Sequence, residues 1–227
     1  IQMPVTRNNC CTTTTEDNVA ARLTCPDPLV VITDSMKSYG SIAPGGTAVA
    51  APFLYTVSAN AKQNHALRFS LAVSSDQGSW NSSLDLAVKA PKFDYGWIQV
   101  LDGGNGILEP GESSDLVVSI ENSGGLAGTN INGILRSLNS AVTVSDSSGS
   151  YGTVNIGDSA VNTTDRYLIT CVPNVAPGHR IDFELLILGD VNFHDTVNFP
   201  LIVGPVTAAS PFGPDDYGYY AYDNTDT

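Results

Sequence analysis

Residues 130–154 read NINGILRSLNSAVTVSDSSGSYGTV, and residues 18–42 read NVAARLTCPDPLVVITDSMKSYGSI. The two stretches stand 112 residues apart and match without a gap. Eight of 25 positions are identical, among them Asp34 and Asp146, Ser38 and Ser150, Tyr39 and Tyr151, Gly40 and Gly152. A match of this length at constant spacing marks a duplicated structural unit. With a small insertion it continues: Phe53-Leu-Tyr-Thr-Val-Ser matches Tyr167-Leu-Ile-Thr-Cys-Val, and His65-Ala-Leu-Arg-Phe-Ser-Leu matches His179-Arg-Ile-Asp-Phe-Glu-Leu. Leu84-Asp-Leu-Ala-Val then matches Phe199-Pro-Leu-Ile-Val. The repeat divides the chain into a first module over 1–91, a second over 92–204 and a tail over 205–227.

Inside each copy the apolar residues alternate. Leu116, Val118 and Ile120 fall on one side of an extended segment, as do Ile181, Phe183 and Leu185, and Gly, Pro, Asn and Asp fill the gaps. Period-two patterning with such punctuation reads as strands, and no 3.6-residue apolar periodicity competes with it. In the second module the strands fall at about 96–101, 115–121, 130–138, 141–145, 166–172, 180–188 and 196–203. Seven short strands at that spacing predict an all-β chain of two tandem immunoglobulin-like β-sandwiches.

The first module lacks a counterpart of residues 96–101 and of the acidic loop that follows them. Residues 1–9 align without a gap to 113–121, which sets Pro4, Thr6 and Asn8 where Leu116, Val118 and Ile120 stand. The first module is therefore expected to be short of at least one strand, leaving backbone N–H and C=O groups unpaired and apolar surface open.

The tail, PVTAASPFGPDDYGYYAYDNTDT, is the candidate to fill that gap. As an extended strand it sets Tyr217, Tyr219 and Ala221 on one face and Tyr220 and Tyr222 on the other. Ser210-Pro211 and Gly213-Pro214 would hold it away from the second module. Three readings stay open: insertion into a neighbouring copy by β-strand addition, return onto the chain's own first module, or a linker to a further domain. Insertion repeated head to tail makes an open filament of copies of this chain.

Net charge is −13, with 10 Lys and Arg against 23 Asp and Glu. That balance disfavours nucleic acid and anionic membranes, whose phosphates need basic partners, and suits hard cations that take oxygen ligands. No apolar run is long enough to span a bilayer. The chain starts at Ile1, which reads as a removed leader or a trimmed sequence. Asn81 and Asn162 stand in Asn-x-Ser/Thr acceptor sites, and Thr12 to Thr15 suit O-linked sugars or an extended linker. Cys10, Cys11, Cys25 and Cys171 show no metal-binding spacing, so in a secreted chain they are expected to be disulfide partners, Cys25 with Cys10 or Cys11 closing a short loop and the remaining thiols bridging to Cys171, crossing to another subunit or staying reduced.

The segment 101–112, LDGGNGILEPGE, packs Asp102, Asn105, Glu109 and Glu112 between four glycines. Carboxylates, an amide oxygen and the Ile107 carbonyl are hard-cation ligands on a backbone free to turn, so the loop is a candidate calcium site, although its spacing departs from the EF-hand pattern. Residues 104–112 followed by Asp115-Leu-Val-Val-Ser-Ile-Glu-Asn-Ser-Gly resemble immunoglobulin-like modules of secreted bacterial and archaeal proteins, including those attached to gingipain-type cysteine peptidases and CARDB-like adhesion modules. Ser150-Tyr-Gly-Thr-Val, Pro177-Gly-His and 213–223 fit the same pattern. The resemblance implies a β-sandwich, an extracellular location and a structural or adhesive role.

Catalysis finds no constellation. His65 and His179 occupy equivalent repeat positions beside a loop, which suits a structural part, and His194 stands alone. No G-x-S-x-G elbow is present, and Asp215-Asp216 lie among Pro and Gly that cannot fix the carboxylate separation of a glycosidase. Trp80 and Trp97 could stack on sugar, which keeps a carbohydrate-binding or adhesion module as the rival reading, but each also suits core or interface packing. The reading that results is a non-catalytic subunit of an extracellular filament or surface assembly.

Overall fold

The computed structural model describes residues 1–205. Strands dominate them, and their single helical turn is a 3-10 turn at Asp190–Asn192. The chain divides into two compact units, Ile1–Lys89 and a second that begins at Ala90.

The first unit holds β1 (Gln2–Met3), β2 (Thr6–Asn8), β3 (Glu16–Thr24), β4 (Val30–Asp34), β5 (Met36–Ile42), β6 (Thr47–Val49), β7 (Phe53–Val57), β8 (Ala66–Ser74) and β9 (Ser79–Ala87). One layer is the antiparallel sheet β5-β3-β8-β9; the other is β1-β7-β4 with the pair β2-β6. Val19, Ala21, Leu23, Leu67 and Phe69 of the first layer meet Met3, Val30, Phe53 and Tyr55 of the second in one core.

The second unit holds β10 (Phe93–Leu101), β11 (Ser113–Asn122), β12 (Gly128–Ser137), β13 (Val142–Asp146), β14 (Ser148–Val154), β15 (Ser159–Val161), β16 (Tyr167–Cys171), β17 (His179–Leu188) and β18 (His194–Val203). Its layers are β14-β12-β17-β18 and β10-β11-β16-β13, with β15 also paired to β11. Both units are thus two-layer antiparallel β-sandwiches.

The repeat is kept strand for strand. The identities have backbone causes. Asn18 and Asn130 both take positive φ (54° and 51°), as do Gly40 and Gly152 (both 69°). Each pair stands where the β3–β5 or β12–β14 ladder shifts register. Asn tolerates the left-handed region better than most side chains and Gly enters it without strain.

β14 and β15 were not among the strands expected from the pattern. Their sequences, SGSYGTV and SAV, carry too few apolar residues to show alternation.

The alignment of the N-terminal residues needs a correction of one residue. Met3 pairs with Phe53 as Leu116 pairs with Tyr167, and Thr6 pairs with Val49 as Ser119 pairs with Val161. Met3, Val5 and Arg7 therefore take the places of Leu116, Val118 and Ile120, not Pro4, Thr6 and Asn8. A slip of one residue exchanges the two faces of a strand. Met3 is accordingly buried and Val5 packs on the core. Asn9 and Asn122 fix the register. Asn9 Nδ2 donates to the carbonyls of Thr14 and Ile42, and Asn122 Nδ2 to those of Leu126 and Val154. The N–H groups of Cys11 and Gly124 donate to the respective side-chain oxygens.

Candidate functional site: an open strand position in the first unit

β10 has no counterpart in the first unit. In the second unit it pairs along β11 from Phe93 opposite Asn122 to Leu101 opposite Asp115, with a bulge between Tyr95 and Ile98. A Cβ at Gly96, in the bulge, would stand 2.9 Å from Ser119 Oγ, so the bulge needs glycine there. The bulge puts Tyr95, Ile98 and Val100 on the core side and Trp97 outside. Tyr95 stacks on Phe199 of β18, ring centroids 5.2 Å apart, and the Phe93 N–H donates to Asp195 Oδ2 at 3.1 Å. β10 thereby closes the seam between the two sheets.

In the first unit no strand among the described residues fills that seam. β1 and β2 pair only with β7 and β6, so their other edge has no strand partner among the described residues. Across the seam lies β9. By pairing with Phe69 and Phe183, Leu84 of β9 occupies the place of Phe199. Phe199 is 2% exposed; Leu84 is 45% exposed and Trp80 46%. At the Arg7–Cys11 end of this seam lies a cleft of about 380 Å³ lined by Arg7, Cys10, Cys11, Val19, Val73 and Trp80. Arg7 stands where Ile120 is fully buried, and it forms no ion pair among the described residues. A charge turned inward on an edge strand is one way in which proteins discourage unwanted pairing.

The tyrosines expected to form the donor strand, Tyr217, Tyr219, Tyr220 and Tyr222, lie outside the described residues.

The loop Asp102 to Glu112 satisfies its own polar groups. Asp102 accepts from the N–H groups of Gly104 and Gly106, and the Gly104 bond first of all holds its carboxyl below the usual carboxylate range. Asn105 Oδ1 accepts from Ile107 N–H, Asn105 Nδ2 donates to Glu109 Oε1 at 3.2 Å, and Glu112 Oε2 accepts from Glu109 N–H. The residues share one loop, but no three His, Cys, Asp or Glu side chains gather as metal ligands among the described residues.

Of the two acceptor sites, Asn81 is exposed on β9. Asn162 is not an acceptor in the folded chain. It is fully buried, its Oδ1 accepts from Val118 N–H at 2.7 Å, and its Nδ2 donates to the Asp165 carbonyl. Cys10, Cys11, Cys25 and Cys171 are free thiols within this single chain, so no short loop is closed between Cys25 and Cys10 or Cys11 in it. Cys171 is buried in the second core, where burial pushes its thiol up. Cys11 is drawn down to about 7 by hydrogen bonding, chiefly from the Thr13 backbone.

The histidines tie loops. His65 Nε2 meets Asp27 Oδ2 at 2.7 Å, and His179 Nε2 meets Asn139 Nδ2 at 3.3 Å. Asp27 and Asn139 are repeat equivalents, and each accepts a backbone N–H two residues on. Trp97 is 46% exposed on the outer side of β10.

No family model matches the chain, and no curated protein does. Among solved structures it is similar to red sea bream transglutaminase (9% identity, 90% of this chain and 31% of that one, TM-score 0.37). It is also similar to the Pseudomonas aeruginosa CupB2 chaperone (12% identity, 89% and 93%, TM-score 0.27). A third similarity is to a chimeric titin Z1Z2 carrying a decorin peptide (13% identity, 90% and 98%, TM-score 0.21). The chain spans about a third of the transglutaminase's length. No helix among the described residues is long and apolar enough to cross a membrane.

Proposed function

We propose that this chain is a non-catalytic structural subunit of an extracellular filament or surface assembly, joined to copies of itself by β-strand complementation. The observation that carries the reading is the contrast between the two units. Among the described residues, the position that β10 fills in the second unit has no strand in the first, with an unpaired edge on one side and Trp80 and Leu84 exposed on the other. Unpaired backbone beside apolar side chains is a template for an added strand.

The test is negative-stain electron microscopy of the full chain against a chain ending at Pro205. Filaments from the first and dispersed particles from the second are expected. Dispersed monomers from the full chain would overturn the reading in favour of an accessory adhesion or carbohydrate-binding module of a larger secreted protein. The exposed Trp97 favours that second reading, and a glycan titration followed by tryptophan fluorescence checks it.

Calcium at Asp102, Asn105, Ile107, Glu109 and Glu112 is a smaller part of the proposal. An entering ion has to displace the N–H groups that now hold Asp102 and Glu112, so its stabilising effect is expected to be modest.

A further inference from the structure

The strand that closes the seam of the second unit has a near-copy in the tail. Residues 94–97 of β10 read Asp-Tyr-Gly-Trp; residues 216–219 of the tail read Asp-Tyr-Gly-Tyr. We infer that residues 216–223 of one copy dock in the first unit of a second copy in the register of β10, with Gly218 in the bulge and Tyr217, Tyr220 and Tyr222 turned inward between the β1–β2 edge and β9. This rests on the filament reading and adds to it the acceptor, the register and the inward residues.

The register follows from the pairings of β10. Tyr95 stands opposite Ile120, Ile98 opposite Val118 and Val100 opposite Leu116. With the correspondences derived from Asn9 and Asn122, Tyr217 falls opposite Arg7, Tyr220 opposite Val5 and Tyr222 opposite Met3. A regular strand would split these tyrosines between two faces; the bulge brings three to one face and leaves Tyr219 outside, as it leaves Trp97. Gly218 supplies the residue without Cβ that the bulge at Gly96 requires.

Size and charge agree. On β9, Ser82 and Leu84 take the places of Val197 and Phe199, so the acceptor wall is smaller. Tyr220 and Tyr222 in place of Ile98 and Val100 are larger by a comparable amount, and close packing demands such compensation. Tyr217 lies over Leu84 as Tyr95 lies over Phe199. Arg7 replaces an isoleucine in the acceptor, while the tail from 206 onward carries four Asp and neither Lys nor Arg. An arginine over a tyrosine face beside carboxylates is favourable on both counts. The Pro211 and Pro214 steps favour an extended lead into the strand, suited to reaching another copy.

The native thiols test this. Lys92, the counterpart of Pro214, accepts from Ser123 N–H at 2.9 Å, and a Cβ at Gly124 would stand 2.4 Å from its nitrogen. Ser123 and Gly124 correspond to Cys10 and Cys11. Pro214→Cys therefore places a thiol beside that pair, and Cys11, partly thiolate at neutral pH, is the readier partner. The full-length Pro214→Cys chain is oxidised with glutathione disulfide, with Tyr219→Cys as the outward control. Melting temperatures verify that both fold.

A non-reducing ladder of dimers, trimers and higher species, with peptides joining position 214 to Cys10 or Cys11, is expected from the first and not from the second. The same link confined to single chains would overturn docking in a second copy. Equal ladders from both variants would overturn the register. No link from chains that still form filaments would remove this docking and leave the assembly reading. No link and no filaments would remove both.

Discussion

At the residue scale the two copies act as each other's mutants. Tyr167 is fully buried, and its hydroxyl lies 3.2 Å from that of Tyr151. Burial pushes both phenols well above the usual tyrosine range. Making room for this pair requires Gly133, where a Cβ would stand 2.4 Å from the Tyr167 hydroxyl, and Gly149, where it would stand 2.6 Å away. In the first unit Phe53 replaces Tyr167 and carries no hydroxyl, and the counterpart of Gly133 is Ala21, 2% exposed. Gly133→Ala is therefore expected to destabilise the chain by about 1–3 kcal/mol through overpacking. Tyr167→Phe alone leaves the Tyr151 hydroxyl without its buried partner, at a loss of roughly 1–3 kcal/mol. The double substitution, which recreates the arrangement of the first unit, should cost less than the sum of the two. A double-mutant cycle by urea denaturation measures this; additive losses would mean that the methyl and the hydroxyl do not share the space.

At the element scale, β9 and β18 are the same strand under different cover. Val197, Phe199, Leu201 and Val203 of β18 are buried, whereas β9 holds no buried residue. Phe199→Ala is expected to lower stability by about 3–5 kcal/mol, the usual loss for an aromatic in a packed core. Leu84→Ala in a chain ending at Pro205 should change it by less than ~1 kcal/mol, since that side chain is already 45% exposed. In the assembled full-length protein the Leu84 substitution should cost more, because the seam is then covered. Denaturation midpoints before and after assembly check this, and an equal, small effect in both states would mean that β9 stays uncovered.

Much of this scale was legible beforehand. The duplication shows in Asn18, Gly40 and their partners, which repeat because they sit at bulges; the all-β class shows in the alternation around Leu116 and Phe183, and the open strand position in the lack of a counterpart to residues 96–101. Three things were not legible. β14 and β15 are too polar to show alternation. The N-terminal register turns on Asn9, whose role is a set of buried hydrogen bonds and not an apolar period. The burial of Asn162 is invisible in an acceptor tripeptide, since the same three residues serve a surface sugar or a buried amide.

At the scale of the whole molecule, charge governs how copies meet. Each copy carries −13 at neutral pH, so association brings like charges together. That repulsion reaches about 30 Å at 0.01 M salt but only about 8 Å at 0.15 M. Assembly is therefore expected to speed up by about tenfold or more between those concentrations, even though Arg7 and the tail carboxylates attract locally. Calcium and magnesium at matched ionic strength should give the same acceleration, because screening does not distinguish them. A ligand effect at the 102–112 loop would appear elsewhere, as a rise in melting temperature in calcium over magnesium. That rise is expected to be about 2 °C, what ~0.5–1 kcal/mol produces in a domain of this size. Glu112→Gln should abolish the increment and leave the salt response untouched, since it removes one carboxylate from the loop and none from the seam. Equal melting temperatures in calcium, magnesium and chelator would remove calcium from the account while leaving strand complementation to stand on the open seam. A calcium-specific acceleration that persists in Glu112→Gln would instead point to an ion bridging carboxylates of different copies.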